Sequence, residues 1–194
     1  LGSTLAIGCT GVFVVKPIDE VFWTGVGDNH VFIIDKSGSM RGADKMNRAK
    51  NAVLEALYKM RPTKKFYVYF FNWRASKMQF NDGTECEESL HADQYKVDLV
   101  SKWIKEQSAG GGTDPSEALK EAFTTKEPEV IWLLTDGYFS RRANIRGLIT
   151  QLNTDRLVRV NTVGFGPSPS NVDPGLQAIA DENSGTYYFA PIDK

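Results

Sequence analysis

The chain is predicted to be α/β: a doubly wound, mostly parallel central sheet with helices on both faces and one short antiparallel edge strand. Three observations predict it. The segment Val31-Phe32-Ile33-Ile34 is apolar without alternation, as befits a strand covered on both faces. Short apolar runs of this kind then alternate with longer stretches of helical periodicity, the pattern of repeated βαβ units. The turns that leave the apolar runs are rich in Asp, Ser, Gly and Thr, where a doubly wound sheet binds its ligands.

Taken in order, the central strand at 31–34 is followed by a helix carried by Met46, Ala49, Val53, Ala56, Leu57 and Met60, with Pro62 just past its end as a stop. Residues 66–71 (FYVYFF) form the next strand. Residues 72–92 break the alternation. Asn81-Asp82-Gly83 lies there between Met78-Gln79-Phe80 and an acidic stretch, which fits a short antiparallel edge strand and loop. Val97, Val100, Trp103 and Ile104 mark a second helix. A third opens with Asp114 as N-cap, Pro115 at the first helical position and Glu117 three residues after the cap, where it completes a capping box. Strands at 130–134, 157–163 and 186–189 then alternate with helices on Ile145, Leu148, Ile149 and Leu152, and on Leu176, Ile179 and Ala180. The last helix is entered through Pro174 and closed by Asn183 to Gly185.

The 194 residues suit one domain. Twenty-three basic residues against 24 acidic ones give a net charge of -1, so the chain has no basic footprint for nucleic acid. Cys9 and Cys86 are too few for a disulfide scaffold or a cysteine-based zinc site, and whether they pair is left open. Residues 1–27 are read as an N-terminal extension and 28–194 as the domain. Leu1 to Val15 (LGSTLAIGCTGVFVV) is almost uncharged but short of the roughly 20 apolar residues of a spanning helix. Two readings stand for it: Val12 to Val15 pairs as an edge strand or packs on the domain, or the stretch is the remnant of a signal or anchor, with Ala6-Ile7-Gly8-Cys9 similar to a lipoprotein cleavage box. The second would tether the protein to a membrane at or before residues 1–15.

The functional positions are expected on the loops after residues 34, 71, 112 and 134. Asp35-Lys36-Ser37-Gly38-Ser39-Met40 places a carboxylate and two hydroxyls at alternate positions beyond the central strand. Small hard cations want such oxygens, and Mg²⁺ takes only one or two carboxylates while keeping several waters. The plain alternative is a Ser or Asx turn. Gly110-Gly111-Gly112-Thr113-Asp114-Pro115 allows close backbone approach, but it lacks a following Lys-Ser or Lys-Thr, and Pro115 removes an amide that a phosphate would use. Thr135-Asp136-Gly137 ends a buried strand. Each element alone is a common turn.

Together, in this order, they resemble the metal-ion-dependent adhesion site of von Willebrand factor A domains, of the bacterial type, over about residues 28 to 190. Asn161 to Gly166 and Leu176 to Tyr188 add to the likeness. The resemblance implies an intact metal site in which Ser37 and Ser39 coordinate the ion, Asp35 and Asp136 hold its waters, and Thr113 binds directly or through water. Mg²⁺ is the implied cofactor, with Mn²⁺ or Ca²⁺ accepted by the same oxygens. The implied function is a binding module, adhesive or scaffolding, that captures an Asp or Glu of a partner protein; it is secreted, periplasmic or membrane-anchored. An intracellular regulatory subunit docking on an ATPase-type complex is the alternative. Met40, Arg41, Trp73, Arg74, Asp114, Tyr138, Phe139 and Arg141 are expected to form the ligand-binding rim. An enzyme is not expected: the chain has no Gly-x-Ser-x-Gly elbow, and of its two histidines His30 precedes the central strand, at the end remote from the site, and His91 sits in the irregular segment.

Overall fold

The computed structural model describes residues 4–8, 11–15, 27–139 and 144–192. Its strands are β1 (Thr4–Gly8), β2 (Gly11–Val15), β3 (Asn29–Asp35), β4 (Lys65–Phe71), β5 (Ala75–Lys77), β6 (Leu90–His91), β7 (Val130–Thr135), β8 (Arg159–Gly166) and β9 (Tyr187–Pro191). Its α-helices are α1 (Lys45–Lys59), α2 (Gln94–Glu106), α3 (Ser116–Thr125), α4 (Ile145–Leu152) and α5 (Gly175–Glu182), with a 3-10 segment at Gly38–Asp44 leading into α1. Among the described residues the sheet runs β1-β2-β9-β8-β7-β3-β4-β5, with β6 also paired to β4. The chain leaves β3 toward β4, then returns to the other side of β3 at β7. Strand order therefore reverses at β3, which puts the crevice of a doubly wound sheet at its carboxyl end.

The core strands pair in parallel, with Ile34 beside Phe70 on one side and Leu134 on the other. Val31 to Ile34, Phe66 to Phe71 and Val130 to Leu134 are fully buried. Helices cover both faces, as the unbroken apolar runs require: α1 packs against α2, while α3, α4 and α5 pack in succession. The doubly wound α/β architecture read from the sequence is the one observed.

The short antiparallel edge strand expected within residues 72–92 is present, and two other local details differ from the expectation. The antiparallel edge is built by β5 on β4, and Asn81-Asp82-Gly83 turns beside it with an isolated Gln79–Glu85 bridge. The N-cap of α3 is Pro115 rather than Asp114; Asp114 stands one residue before it, accepting from the Ser116 amide at 3.0 Å, and Glu117 does not close the box. It accepts instead from the Ala75 amide at 2.8 Å, satisfying the first donor of β5. At the other end, β2 pairs in parallel with β9, and β1 lies outside it as the edge. Cys86 is a buried free thiol, pushed up to about 11 by burial; Cys9 lies outside the described residues.

Candidate metal site at the carboxyl end of the sheet

Parallel pairing brings Asp35, Phe71 and Thr135 to the same level, so the turns that follow them meet above the sheet. Asn72, the first residue after β4, ties its own turn to the glycine loop at 110–114. Its side-chain amide donates to the Gly110 carbonyl at 2.9 Å and its carbonyl accepts from the Asp114 amide at 2.7 Å. The Gly110 amide donates to the Lys36 carbonyl at 2.7 Å, and the Gly38 amide to the Gly111 carbonyl at 3.0 Å. The loop bearing Thr113 is thereby fastened to the loop bearing Ser37 and Ser39.

The glycines serve this fastening. Gly111 has φ +86, the left-handed region that disfavours side chains, and a Cβ there would sit 3.0 Å from the Asn72 amide nitrogen. A Cβ on Gly112 would lie 2.3 Å from the Trp73 ring. The close approach expected of a ligand is thus made by the protein's own Asn72 and Trp73.

Four of the five expected metal-site residues touch. Asp35 is fully buried, with one carboxylate oxygen accepting from the Ser37 amide at 2.6 Å and the other from the Thr135 hydroxyl at 2.6 Å. Ser37 Oγ lies 2.9 Å from Ser39 Oγ, and Ser39 Oγ donates to Asp136 Oδ1 at 2.7 Å. Thr113, half-buried, stands on the fastened loop next to Gly112. Burial is the main cause that raises the Asp35 carboxyl to about 6, and the neighbouring Asp136 adds to it. The sequence reading overlooked Lys45: its ammonium pairs with Asp136 Oδ2 and donates to the Ser39 carbonyl at 3.2 Å.

The donor set fits a small hard cation. Neighbouring ligands of a Mg²⁺ octahedron with bonds of about 2.1 Å stand roughly 3.0 Å apart, and the two serine oxygens are 2.9 Å apart. Among the described residues no cluster of three or more His, Cys, Asp or Glu could hold a metal, so an oxygen site here depends on hydroxyls.

The expected rim is realised only in part. Trp73 (65% exposed) and Tyr138 (60% exposed) flank the site, and Arg74 is exposed. Met40 is a correction: it is fully buried in the core, because the apolar side chain turns under the 3-10 segment. Asp114 is occupied by the Ser116 amide in the turn that enters α3, and Phe139 is half-buried against the core. Arg41 donates through Nε to the Ala109 carbonyl at 2.9 Å, bracing the glycine loop. Arg141 lies outside the described residues.

A family model described as von Willebrand factor type A domain matches residues 29–189. The chain belongs to that family. Its members are protein-interaction modules, and many carry a divalent metal at the adhesion site. The human von Willebrand factor A domain-containing protein 3B is 24% identical over 158 residues, covering 81% of this chain and 11% of its own length. A von Willebrand factor type A protein from Catenulispora acidiphila superposes with a TM-score of 0.69 at 22% identity, over 92% of this chain and 40% of that one. Proximal thread matrix protein 1 of the mussel byssus, in a structure with a zinc-occupied adhesion-site motif, superposes with a TM-score of 0.61 at 20% identity, over 86% and 42%. This chain therefore spans less than half the length of each of these proteins.

Proposed function

We propose that this domain is a divalent-cation-dependent binding module that grips an acidic group on a partner protein. The carrying observation is the unbroken contact from Ser37 Oγ through Ser39 Oγ to Asp136 Oδ1 above the carboxyl end of β3. In this reading Ser37, Ser39 and Thr113 are the hydroxyl ligands, and Asp35 and Asp136 stand behind them. When bound, Mg²⁺ supplies a Lewis-acidic position open to a carboxylate from outside. Asp35, held by the Ser37 amide and the Thr135 hydroxyl, fixes the direction of the Ser37 turn. Trp73, Arg74 and Tyr138 are the accessible side chains that contact the partner around that position.

The module acts by binding without turnover, and we place it outside the cytoplasm of a bacterial cell. The fastened loops support the binding role: a preorganised site loses little entropy when a ligand arrives. Among the described residues no helix is long and apolar enough to cross a membrane.

A pull-down from the native source with and without Mg²⁺, repeated with Asp35→Ala and Ser37→Ala, tests the reading. Prey retained only with Mg²⁺ and lost in both variants is the expected result. A prey set indifferent to the metal and to both substitutions overturns it.

A further inference from the structure

Lys45 opens α1, a helix with no acidic residue in its first turn. A cation at a helix N-terminus opposes the helix dipole; here it stands directly after the N-cap Asp44 and pairs with a carboxylate from a distant loop, Asp136. The Lys45 side chain is 16% exposed and that of Asp136 1% exposed, so the pair is largely shielded from water. The carboxylate is divided: Oδ2 faces the ammonium, while Oδ1 faces Ser39 Oγ and the hydroxyl pair. Lys45 also reaches the Ser39 carbonyl, which ties it to the same loop.

We propose that Lys45 is a built-in counter-ion of the metal site, balancing Asp136 when no cation is bound and lowering the site's hold on a cation when one arrives. The inference rests on the metal-binding reading above. Without a cation, Asp136 would be a buried carboxylate unpaired, a costly arrangement that the ammonium relieves. With a dication, the two carboxylates of Asp35 and Asp136 would make the centre formally neutral; Lys45 makes it positive by one. A centre left positive has more to gain from a partner's carboxylate and less grip on its own ion. An ammonium and a dication facing two oxygens of one carboxylate stand on the order of 6 Å apart, and their repulsion is worth roughly tenfold in affinity even at the dielectric of water.

The test is a Mn²⁺ titration of the full chain by calorimetry at low ionic strength, for the native protein and for Lys45→Gln, Lys45→Met and Lys45→Arg. Thermal unfolding is followed in EDTA and in Mn²⁺. Removing the charge is expected to tighten Mn²⁺ binding about tenfold in both neutral variants, and Lys45→Arg to bind like the native chain. Either neutral variant, if folded, should melt lower in EDTA and gain more on adding Mn²⁺. Neutral variants that bind Mn²⁺ no tighter than the native chain overturn the counter-ion role, since a merely structural lysine would lower stability and affinity together. Should both neutral variants fail to fold even in Mn²⁺, the rescue expected here is absent and the proposal fails. A native chain that takes up no Mn²⁺ overturns the metal site itself, and this inference with it.

Discussion

Replacing Asp35 by Asn should make the metal-free protein more resistant to unfolding at neutral pH, even as it removes cation binding. The Asp35 carboxyl is raised from 3.8 to about 6, chiefly by burial. A group whose folded value lies above its unfolded value contributes stability that is fully present below the unfolded value and is lost as pH rises through the folded one. For Asp35 that window runs from about pH 4 to about pH 7, and the loss across it is about 3 kcal/mol. Asn keeps the shape and never ionises: its oxygen can accept from the Ser37 amide and its nitrogen can donate to the Thr135 hydroxyl. The assay is urea unfolding in EDTA from pH 4 to pH 8 for both proteins, with the difference plotted against pH. Any constant offset reports how well Asn packs; the part that changes with pH reports the carboxyl alone. The expected result is a native chain that falls behind Asp35→Asn by about 3 kcal/mol between acid and neutral pH, roughly 6–12 °C in Tm for a domain of this size. A flat difference, or a native chain that gains on the variant as pH rises, refutes the reasoning.

Acidification should act through His30 in the opposite direction. Trp132 donates through Nε1 to His30 Nδ1 at 3.3 Å, and Nε2 faces the Gly27 carbonyl at 3.1 Å, an arrangement that suits the neutral ring. Burial holds its pKa below 6.5, so its contribution is present above pH 6.5 and lost as pH falls through the lowered value; an NMR titration midpoint at or above 6.5 would contradict this. Gly112→Ala should push the Trp73 indole off the glycine loop, increasing iodide quenching of its fluorescence while changing the unfolding free energy by less than about 1 kcal/mol, because the displaced ring is largely in solvent. A loss of several kcal/mol would show that the ring supports the fold.

Much of this was legible in the residues themselves. Val31 to Ile34 and Val130 to Leu134 announce buried parallel strands because neither face of such a strand can afford a polar side chain. Asp35, Ser37, Ser39 and Asp136 follow those strands directly, so parallel pairing is enough to bring them together. What stayed hidden depends on contacts between distant segments. Glu117 looked like a capping-box partner, yet the nearest unsatisfied donor in space belonged to Ala75, 42 residues away. Met40 looked like rim because it follows the serine turn, and only the path of the 3-10 segment shows that it points inward. Asn72 gave no periodic signal at all. Lys45 did leave one, since a lysine at the first position of a helix breaks a local electrostatic preference, and such breaks tend to mark functional sites.

Asn72 and its two successors divide the labour at the mouth of the sheet. Asn72 turns inward and holds both ends of the glycine loop, at Gly110 and at Asp114, whereas Trp73 lies over Gly112 with most of its ring exposed and Arg74 is exposed. A substitution at exposed Arg74 leaves these bonds in place, while removing the Asn72 side chain frees the Gly110 carbonyl and loosens the loop that carries Thr113.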